Sequence, residues 1–459
     1  MAARVGARVT RRLSALVMGL RGIGLLCAGV FCGACAPARE FDLIIRGGTV
    51  YDGSGDPARV RVADVGITGD RIVAVARLDG RTAGQVIDAS GKAVSPGFVD
   101  VLGQSGATLL GDGTGDSHVR QGITTEIIGE DSPAFWSVET ADMPLLRRYG
   151  LTLSWTGLRG YFDVLDRRGT SLNVGTLVPM PVTGDVAAAA AAGGRAIADG
   201  ARGIWAGAAV DTPPDPAMLT ALARTAARFD VPLVTVPSIA LPLPEQAAAL
   251  AVLSQQARVP VMLARFGGAS APGWGPLALA ARRIIEAEDR GIDVTVAARP
   301  YPRRQPPAPD DEADASAAME MRRDMTYGTD TAAGVSGSPL GPLSRHPAAF
   351  GLFPRVLGRY VREGHAQELP VAIRRMTAFP ATLFRLDRRG QIREGYFADV
   401  VVFDPATVID RATFENPAQY PVGIEYVIVN GVITAGPKGH TGARPGRRLL
   451  SAAARRPPA

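Results

Sequence analysis

The sequence predicts an α/β protein in which a (β/α)8 barrel of the TIM type is joined to a small β-sandwich domain formed from both chain ends. Apolar strands alternate with helical stretches between Gly97 and Leu386, and short strands with glycine-rich turns flank this region on both sides. The 459 residues, 46% of them hydrophobic, suffice for one large and one smaller domain. We therefore expect the sandwich at 40–95 plus 388–449, the barrel at 96–387 and a disordered tail at 450–459.

The first 35 residues are typical of an export signal. A basic n-region is followed by the apolar segment Gly22–Phe31, which is too short to span a bilayer alone. Gly33-Ala34-Cys35 has the form of a lipoprotein box, so we expect Cys35 to be lipidated and to anchor an exported, periplasmic or envelope protein to the membrane. Two alternatives are cleavage after Ala36 by ordinary signal peptidase and an uncleaved anchor over Leu13–Ala34.

The sandwich strands come from alternating segments at the two ends. FDLIIRGGTVYDGSG and VGITGDRIVAV carry glycine turns near the start, and FADVVVFDP and YVIVNGVITAG follow near the end, the last with an Asn430-Gly431 turn. Strand pairs at both ends, with a long alternating region between them, indicate one sheet domain built from both.

Eight candidate barrel strands lie between these ends. They are Phe98–Val101, Thr124–Ile128, Asn173–Val178, Gly203–Val210, Leu233–Val236, Val261–Phe266, Asp293–Ala297 and Met325–Thr329. Helices are expected between them at Ala187–Ala198, Ala217–Phe229, Glu245–Gln256 and Leu277–Arg290. In such barrels the chemistry lies at the carboxyl ends of the strands, which makes those residues the candidates for a site.

Several motifs together resemble the amidohydrolase superfamily, in particular its N-acyl-D-amino-acid deacylase (D-aminoacylase-type) branch. They are FDLIIRGGTVYDGSGDP, VIDASGKAVSPGFVDV, SHVRQGITTEIIGE, HPAAFGLFPRVLGRYVREG, RGQIREGYFADVVVFDP and GHTGARPGRRL. The resemblance covers about Phe41 to Leu449 and is thin from about Val182 to Pro300. It implies a zinc hydrolase that cleaves the amide of an N-acylated D-amino acid, with zinc activating a bound water.

The zinc ligands that this resemblance implies are missing from the sequence. The first barrel strand should end in His-x-His but carries Leu102 and Gln104, and Val236 and Arg265 stand where the fifth and sixth strands should supply histidine. We therefore expect no zinc cofactor and no metal ligands.

Two acids remain at strand ends, Asp330 after the eighth strand and Glu130 after the second. If the protein is active, they are the catalytic candidates. We hypothesise that Arg265 forms an ion pair with Asp330 and replaces the missing metal charge; the alternative is that Arg265 extends into solvent. A weak Mg or Ca site at Glu130, Asp330 and Gln104 is a further alternative.

Arg265, His346 and Tyr301 are the candidate substrate-binding residues. His346 follows the eighth strand near the barrel mouth, and Tyr301 belongs to the PYP motif after the seventh. His118, His365 and His440 are expected to be framework or solvated residues, since no two histidines have ligand spacing.

The sequence thus favours an exported, degenerate deacylase-like protein that binds a small N-acyl amino acid or an envelope partner. The alternative is an active hydrolase of the C–N bond of N-acyl-D-amino acids that uses Asp330 with an atypical or absent metal. The net charge of +6 is spread along the chain without a basic run interleaved with aromatics, which argues against nucleic-acid binding.

Overall fold

The computed structural model describes residues 39–129, 147–151, 154–207, 214–238, 240–266, 277–301, 325–334 and 346–455. The predicted export signal with Cys35, and the candidate acid Glu130, lie outside these ranges. Within them, no helix is both long and apolar enough to cross a membrane.

Strands β1 to β17 follow one another along the chain. They are β1 (Phe41–Val50), β2 (Arg61–Thr68), β3 (Arg71–Ala76), β4 (Ala83–Asp88), β5 (Ala93–Pro96), β6 (Phe98–Asp100), β7 (Ile123–Ile128), β8 (Asn173–Pro179), β9 (Gly203–Ala206), β10 (Leu233–Thr235), β11 (Val261–Phe266), β12 (Val294–Ala298), β13 (Met325–Tyr327), β14 (Val400–Phe403), β15 (Ile424–Val429), β16 (Val432–Gly436) and β17 (Gly439–His440).

The helices lie mainly between the barrel strands. They are α1 (Thr108–Gly111), α2 (Asp116–Val119), α3 (Gly157–Arg168), α4 (Val186–Ala198), α5 (Pro216–Arg228), α6 (Leu243–Ala257), α7 (Leu277–Asp289), α8 (Ala348–Arg355), α9 (Leu369–Met376) and α10 (Ala378–Leu383), with a 3-10 turn at Pro57–Arg59 and a π-helical segment at Val356–Glu363. Helices α4 to α7 lie within two residues of the predicted bounds.

Both chain ends contribute to a single nine-stranded sheet. Its order is β17-β16-β15-β14-β5-β1-β2-β3, with β4 paired to β1. The antiparallel pair β5–β14, in which Val94 faces Val402, joins the amino-terminal strands to the carboxyl-terminal ones. The prediction that one sheet is built from both ends is confirmed, whereas its closure into a sandwich stays a prediction.

The barrel consists of eight parallel strands in the order β6 to β13, so all eight predicted strands are present. The first and last strands are linked beyond their ends, where Gln104 donates its backbone N–H to Thr331 at 2.9 Å and Asp330 donates to Leu102 at 3.0 Å. These bonds nearly close the barrel and bring the residues after β6 beside those after β13.

A buried polar network fastens the sheet domain to the barrel. Arg389 forms an ion pair with Asp399, and both side chains are almost fully buried. Asp399 also accepts the backbone N–H of Asn430 at 2.8 Å, and the Asn430 amide donates to Asn173 on β8 at 2.8 Å. The β15–β16 turn is therefore fixed against a barrel strand by hydrogen bonds that satisfy a buried charge.

The segment from 450 to 455, predicted as a disordered tail, instead packs on the barrel. Ser451 is 1% exposed, and its hydroxyl donates to the carbonyl of Ile197 at 2.6 Å. Its backbone N–H donates to Gly200 at 3.1 Å. These hydrogen bonds to the end of α4 and the turn after it hold the segment in place.

Candidate active site at the barrel mouth

The carboxyl ends of β11, β12 and β13 bring together Arg265, Arg299 and Asp330. Nη2 of Arg265 lies 2.8 Å from Oδ1 of Asp330, and its Nε donates to both carboxylate oxygens at 3.0 and 3.1 Å. Nη1 of Arg299 lies 3.1 Å from Oδ2. Gln104 completes this group, which we call the mouth site, by donating from Nε2 to Asp330 Oδ1 at 3.0 Å.

The backbone aims these side chains at one another. The pairing of β11 with β12 shifts register between Leu263 and Phe266, and Arg265 lies in this irregularity with φ of 58°. Asp330 also has a left-handed φ, 53°. Register shifts redirect side chains next to functional sites, and left-handed backbone at non-glycine residues is retained there at a cost in stability.

The ion pair is partly withdrawn from solvent. The side chain of Asp330 is 10% exposed, that of Arg299 14% and that of Arg265 28%. The Arg265 guanidinium also lies 5.7 Å from the ring centroid of the buried Trp205 on β9. The hypothesised Arg265–Asp330 pair is confirmed, and the alternative that Arg265 extends into solvent is wrong.

Apolar packing surrounds the mouth site where the sequence places leucine and valine. Leu102 is 0% and Val236 8% exposed, and both belong to the hydrophobic cluster inside the barrel that also contains Trp205 and Ala264. The side chains at those two strand ends therefore contribute core packing and no polar atom.

A second group of titratable side chains lies buried near β6 and β7. We call Asp100 on β6, His118 on α2 and Glu126 on β7 the Asp-His-Glu cluster; all three are 0% exposed. His118 Nδ1 lies 3.2 Å from Glu126 Oε2 and 3.9 Å from Asp100 Oδ2. One ligand atom from each lies within 4.8 Å of the others, which is a possible metal-binding arrangement.

Backbone and hydroxyl donors already hold the two carboxylates of this cluster. Asp100 accepts the N–H of Leu102 at 3.1 Å, the N–H of Thr329 at 3.0 Å and the Thr329 hydroxyl at 2.6 Å. Glu126 accepts the N–H of Ser105 at 3.0 Å. The cluster therefore ties β6, β7 and the segment after β13 together just below the mouth site.

Burial and mutual charge perturb the protons of the cluster. Burial raises the pKa of Asp100 to about 6. Burial opposes a charge on His118, but the negative charge and hydrogen bond of Glu126 outweigh it and raise the pKa of His118 above its ordinary value. The arrangement can therefore hold a proton on His118 between two acids.

The candidate substrate residues Tyr301 and His346 contact each other. The Tyr301 hydroxyl donates to Asp410 at 2.8 Å, and burial together with the Asp410 charge raises the pKa of Tyr301 well above its ordinary value. The His346 ring meets Tyr301 edge-on at 5.6 Å and Phe414 at 5.1 Å, and its Nδ1 accepts the N–H of Ala348. Their described partners are structural, so a substrate-binding role stays a prediction.

Sequence reasoning missed Arg299 and the Asp-His-Glu cluster. Arg299 directly follows β12 and so stands at the carboxyl end of a barrel strand, where site residues are expected. Asp100 ends the buried strand β6, and Glu126 lies within the buried strand β7. An acid in a buried strand signals a buried polar partner. His118 was expected to be a framework residue and is indeed fully buried on α2.

The chain resembles known amide hydrolases over nearly its whole length. A family model described as "Amidohydrolase family" matches residues 292–435. The chain is 30% identical to N-acyl-D-glutamate deacylase of Alcaligenes xylosoxydans xylosoxydans, covering 89% of this chain and 96% of the relative, and 30% identical to D-aminoacylase of the same organism, covering 91% and 99%.

Solved structures agree with these similarities. N-acyl-D-glutamate deacylase from Bordetella bronchiseptica, solved with zinc and a phosphonate inhibitor that mimics the tetrahedral intermediate, superposes with a TM-score of 0.71 at 27% identity, covering 89% of this chain and 99% of the other. A D-aminoacylase structure superposes with a TM-score of 0.74 at 27% identity, covering 89% and 100%.

Proposed function

Because the chain belongs to the amidohydrolase family and is homologous to D-aminoacylase and N-acyl-D-glutamate deacylase, we propose that it binds an N-acylated amino acid at the barrel mouth without hydrolysing it by binuclear zinc chemistry. In this proposal it is an exported envelope protein, anchored through Cys35, that keeps the family frame and has lost the zinc ligands.

The observation that carries the proposal is the engagement of Asp330 by two guanidinium groups. Arg265 and Arg299 contact both oxygens of the carboxylate that a metal would use at this strand end. A guanidinium carries a permanent positive charge, which repels a divalent cation. A zinc ion at this position would have to displace both arginines from a largely buried carboxylate.

The other described residues at the mouth do not fit a zinc centre. Zinc in catalytic sites takes imidazole, carboxylate or thiolate ligands. Leu102 and Val236 offer no ligand atom, and Gln104 turns its N–H group, a donor, toward Asp330. The described residues at the mouth therefore support no metal-dependent step.

The Asp-His-Glu cluster has the ligand types of a metal site but not the access of a catalytic one. Its three side chains are 0% exposed, whereas a catalytic zinc keeps an open position for water and substrate. A metal bound there would therefore have a structural role. A proton on His118 can supply the positive charge beside Asp100 and Glu126 without a metal.

The ligand class follows from the relatives and from the charge at the mouth. N-acyl-D-glutamate deacylase acts on an N-acylated amino acid, which carries a carboxylate. Guanidinium groups bind carboxylates through paired N–H donors. Arg265 and Arg299 are therefore the residues that we propose to bind the carboxylate of the ligand.

Metal content and ligand binding test this proposal together. The protein, purified without a histidine tag after growth with added zinc, is analysed for zinc per chain, and N-acetyl-D-glutamate is titrated by calorimetry. We expect no stoichiometric zinc and saturable binding that Arg265→Gln weakens. Arg224→Gln is the matched control, because Arg224 is exposed on α5 and its substitution removes the same charge away from the mouth site. One or two tightly bound zinc ions with release of amine would overturn the proposal.

The second candidate is a metal-free hydrolase in which Asp330 acts as general base and Arg265 stabilises the negative charge that develops on the carbonyl oxygen. The left-handed backbone at both residues favours it, because such strain concentrates at active sites. Amine release from N-acetyl-D-glutamate that is retained without zinc and abolished by Asp330→Asn would establish this candidate; no release by the unchanged protein would dismiss it.

A further inference from the structure

An arginine-lined cavity lies at the base of the barrel, at the opposite end from Asp330. It has a volume of about 390 Å³. Its wall includes Arg202, the residue directly before β9, and therefore lies at the amino ends of the barrel strands. Seven arginines line it within the described part of the chain, and we call it the arginine cavity. They are Arg71 from β3, Arg202, Arg388 and Arg389 after α10, and Arg447, Arg448 and Arg455 from the carboxyl-terminal segment.

Carboxylates pair with four of these seven arginines. Arg389 pairs with Asp399, Arg71 and Arg447 with Asp70, and Arg448 with Asp163 and Asp166. Among the cavity-lining residues themselves, the acid is Asp387.

Arg202 is the most deeply placed of the remaining three. It is 3% exposed, and its guanidinium donates to backbone carbonyls, from Nε to Leu449 at 3.0 Å and from Nη1 to Phe384 at 3.2 Å. Burial and the neighbouring charges of Arg455 and Arg389 lower its pKa to about 9. The charge of Asp387 acts in the opposite direction but does not outweigh these effects. A buried charge that is only partly compensated is costly, so this position favours an anion.

Arg388 and Arg455 are exposed at the rim. Within the part of the chain that the structure describes, neither they nor Arg202 has a carboxylate within 4 Å of its guanidinium. Among the described residues, seven guanidinium groups and the five carboxylates at Asp70, Asp163, Asp166, Asp387 and Asp399 leave two positive charges at the cavity.

We propose that the arginine cavity binds a phosphate-sized dianion, either inorganic phosphate or the phosphate group of a monoester. The surplus of two positive charges matches a dianion, and planar guanidinium forks bind phosphate oxygens in pairs. The cavity is large enough for the anion, and the buried Arg202 at its wall would gain the counter-charge that its carbonyl partners do not supply. This site is independent of the mouth site and of the function proposed there.

Titration of phosphate into the full-length protein tests the proposal. At constant ionic strength we expect saturable binding of one phosphate per chain, weakened about tenfold or more by Arg388→Gln. Arg388 lies at the exposed rim, so its substitution leaves the core intact. Arg224→Gln on the exposed face of α5 removes the same charge away from the cavity and should leave binding unchanged.

A second readout is the unfolding temperature, since a ligand bound only to the folded state raises it. Phosphate should raise the unfolding temperature of the unchanged protein and of Arg224→Gln by more than it raises that of Arg388→Gln. Glycerol 3-phosphate distinguishes the two sources: binding equal to that of phosphate identifies a monoester site, and binding of phosphate alone identifies a site for the free anion. Absence of saturable binding by both compounds, or equal binding in Arg388→Gln and Arg224→Gln, would overturn the proposal.

Discussion

Replacing His118 by leucine is expected to lower the free energy of unfolding by about 4 kcal/mol at pH 7. The imidazole lies 3.2 Å from Glu126 and 3.9 Å from Asp100, and all three side chains are 0% exposed. Leucine fills a similar volume but removes the positive partner, so two acids remain buried against each other.

Two independent considerations give this magnitude. Removing one partner of a buried ion pair costs about 3–5 kcal/mol, because the remaining charge has no compensation. In the variant, the cluster can bind a proton in place of the lost imidazolium, and protonating an ordinary carboxylic acid side chain at pH 7 costs about 4 kcal/mol. The second value is an upper limit on the electrostatic loss, and it lies inside the first range.

Urea denaturation measures the loss as a shift of the midpoint at unchanged slope. The matched control is the double variant His118→Leu with Glu126→Gln, which removes the uncompensated acid and should recover a large part of the stability. In the single variant the folded state binds a proton that the unfolded state lacks. The difference in the free energy of unfolding between the unchanged protein and the single variant should therefore shrink by about 1.4 kcal/mol per pH unit as the pH falls from 6.5 toward 4.5.

A loss below about 1 kcal/mol that does not change with pH would refute the reasoning, because it would mean that His118 carries no charge against the two acids. Full stability of the single variant combined with a low midpoint of the double variant would refute it equally. Either result would leave the Asp-His-Glu cluster as ordinary polar packing.

Three further results are expected. Burial raises the pKa of Asp100 to about 6 from 3.8, so the folded state gains stability, by about 3 kcal/mol at most, as the pH falls from about 6 toward 4. Asp100→Asn should abolish that gain in urea midpoints measured between pH 7 and 4.5. A pH profile unchanged by the substitution would contradict this explanation. Gly103→Ala would place a Cβ 2.0 Å from Glu126 Oε1 and should lower the unfolding temperature measurably. An unchanged unfolding temperature would show that the Glu126 side chain can move aside without loss of stability. Arg389→Met leaves the buried Asp399 without its positive partner and should lower the free energy of unfolding, measured by urea denaturation, by about 3–5 kcal/mol. A loss near zero would show that the polar network between sheet and barrel does not contribute to stability.

Part of the mouth site could be predicted because barrel geometry is regular. Residues that follow parallel strands meet at one end of the barrel, so Arg265 and Asp330 could be paired before any contact was known. Arg299 follows β12 in the same way, but no motif drew attention to it. The bonds of Tyr301 to Asp410 and of His346 to its aromatic neighbours depend on how the segment 405–423 packs, which local sequence does not specify.

The sequence by itself determined the eight barrel strands, the helices between them and the pairing of strands from both ends in one sheet, because strand and helix periodicity is written in neighbouring residues. Only the tertiary structure decided that Asp100, His118 and Glu126 share one buried cluster and that seven arginines from separate segments share one cavity. Such groups form where distant segments meet. Burial there opposes their charges, and the partners that stabilise those charges come from segments that the local chain does not contain.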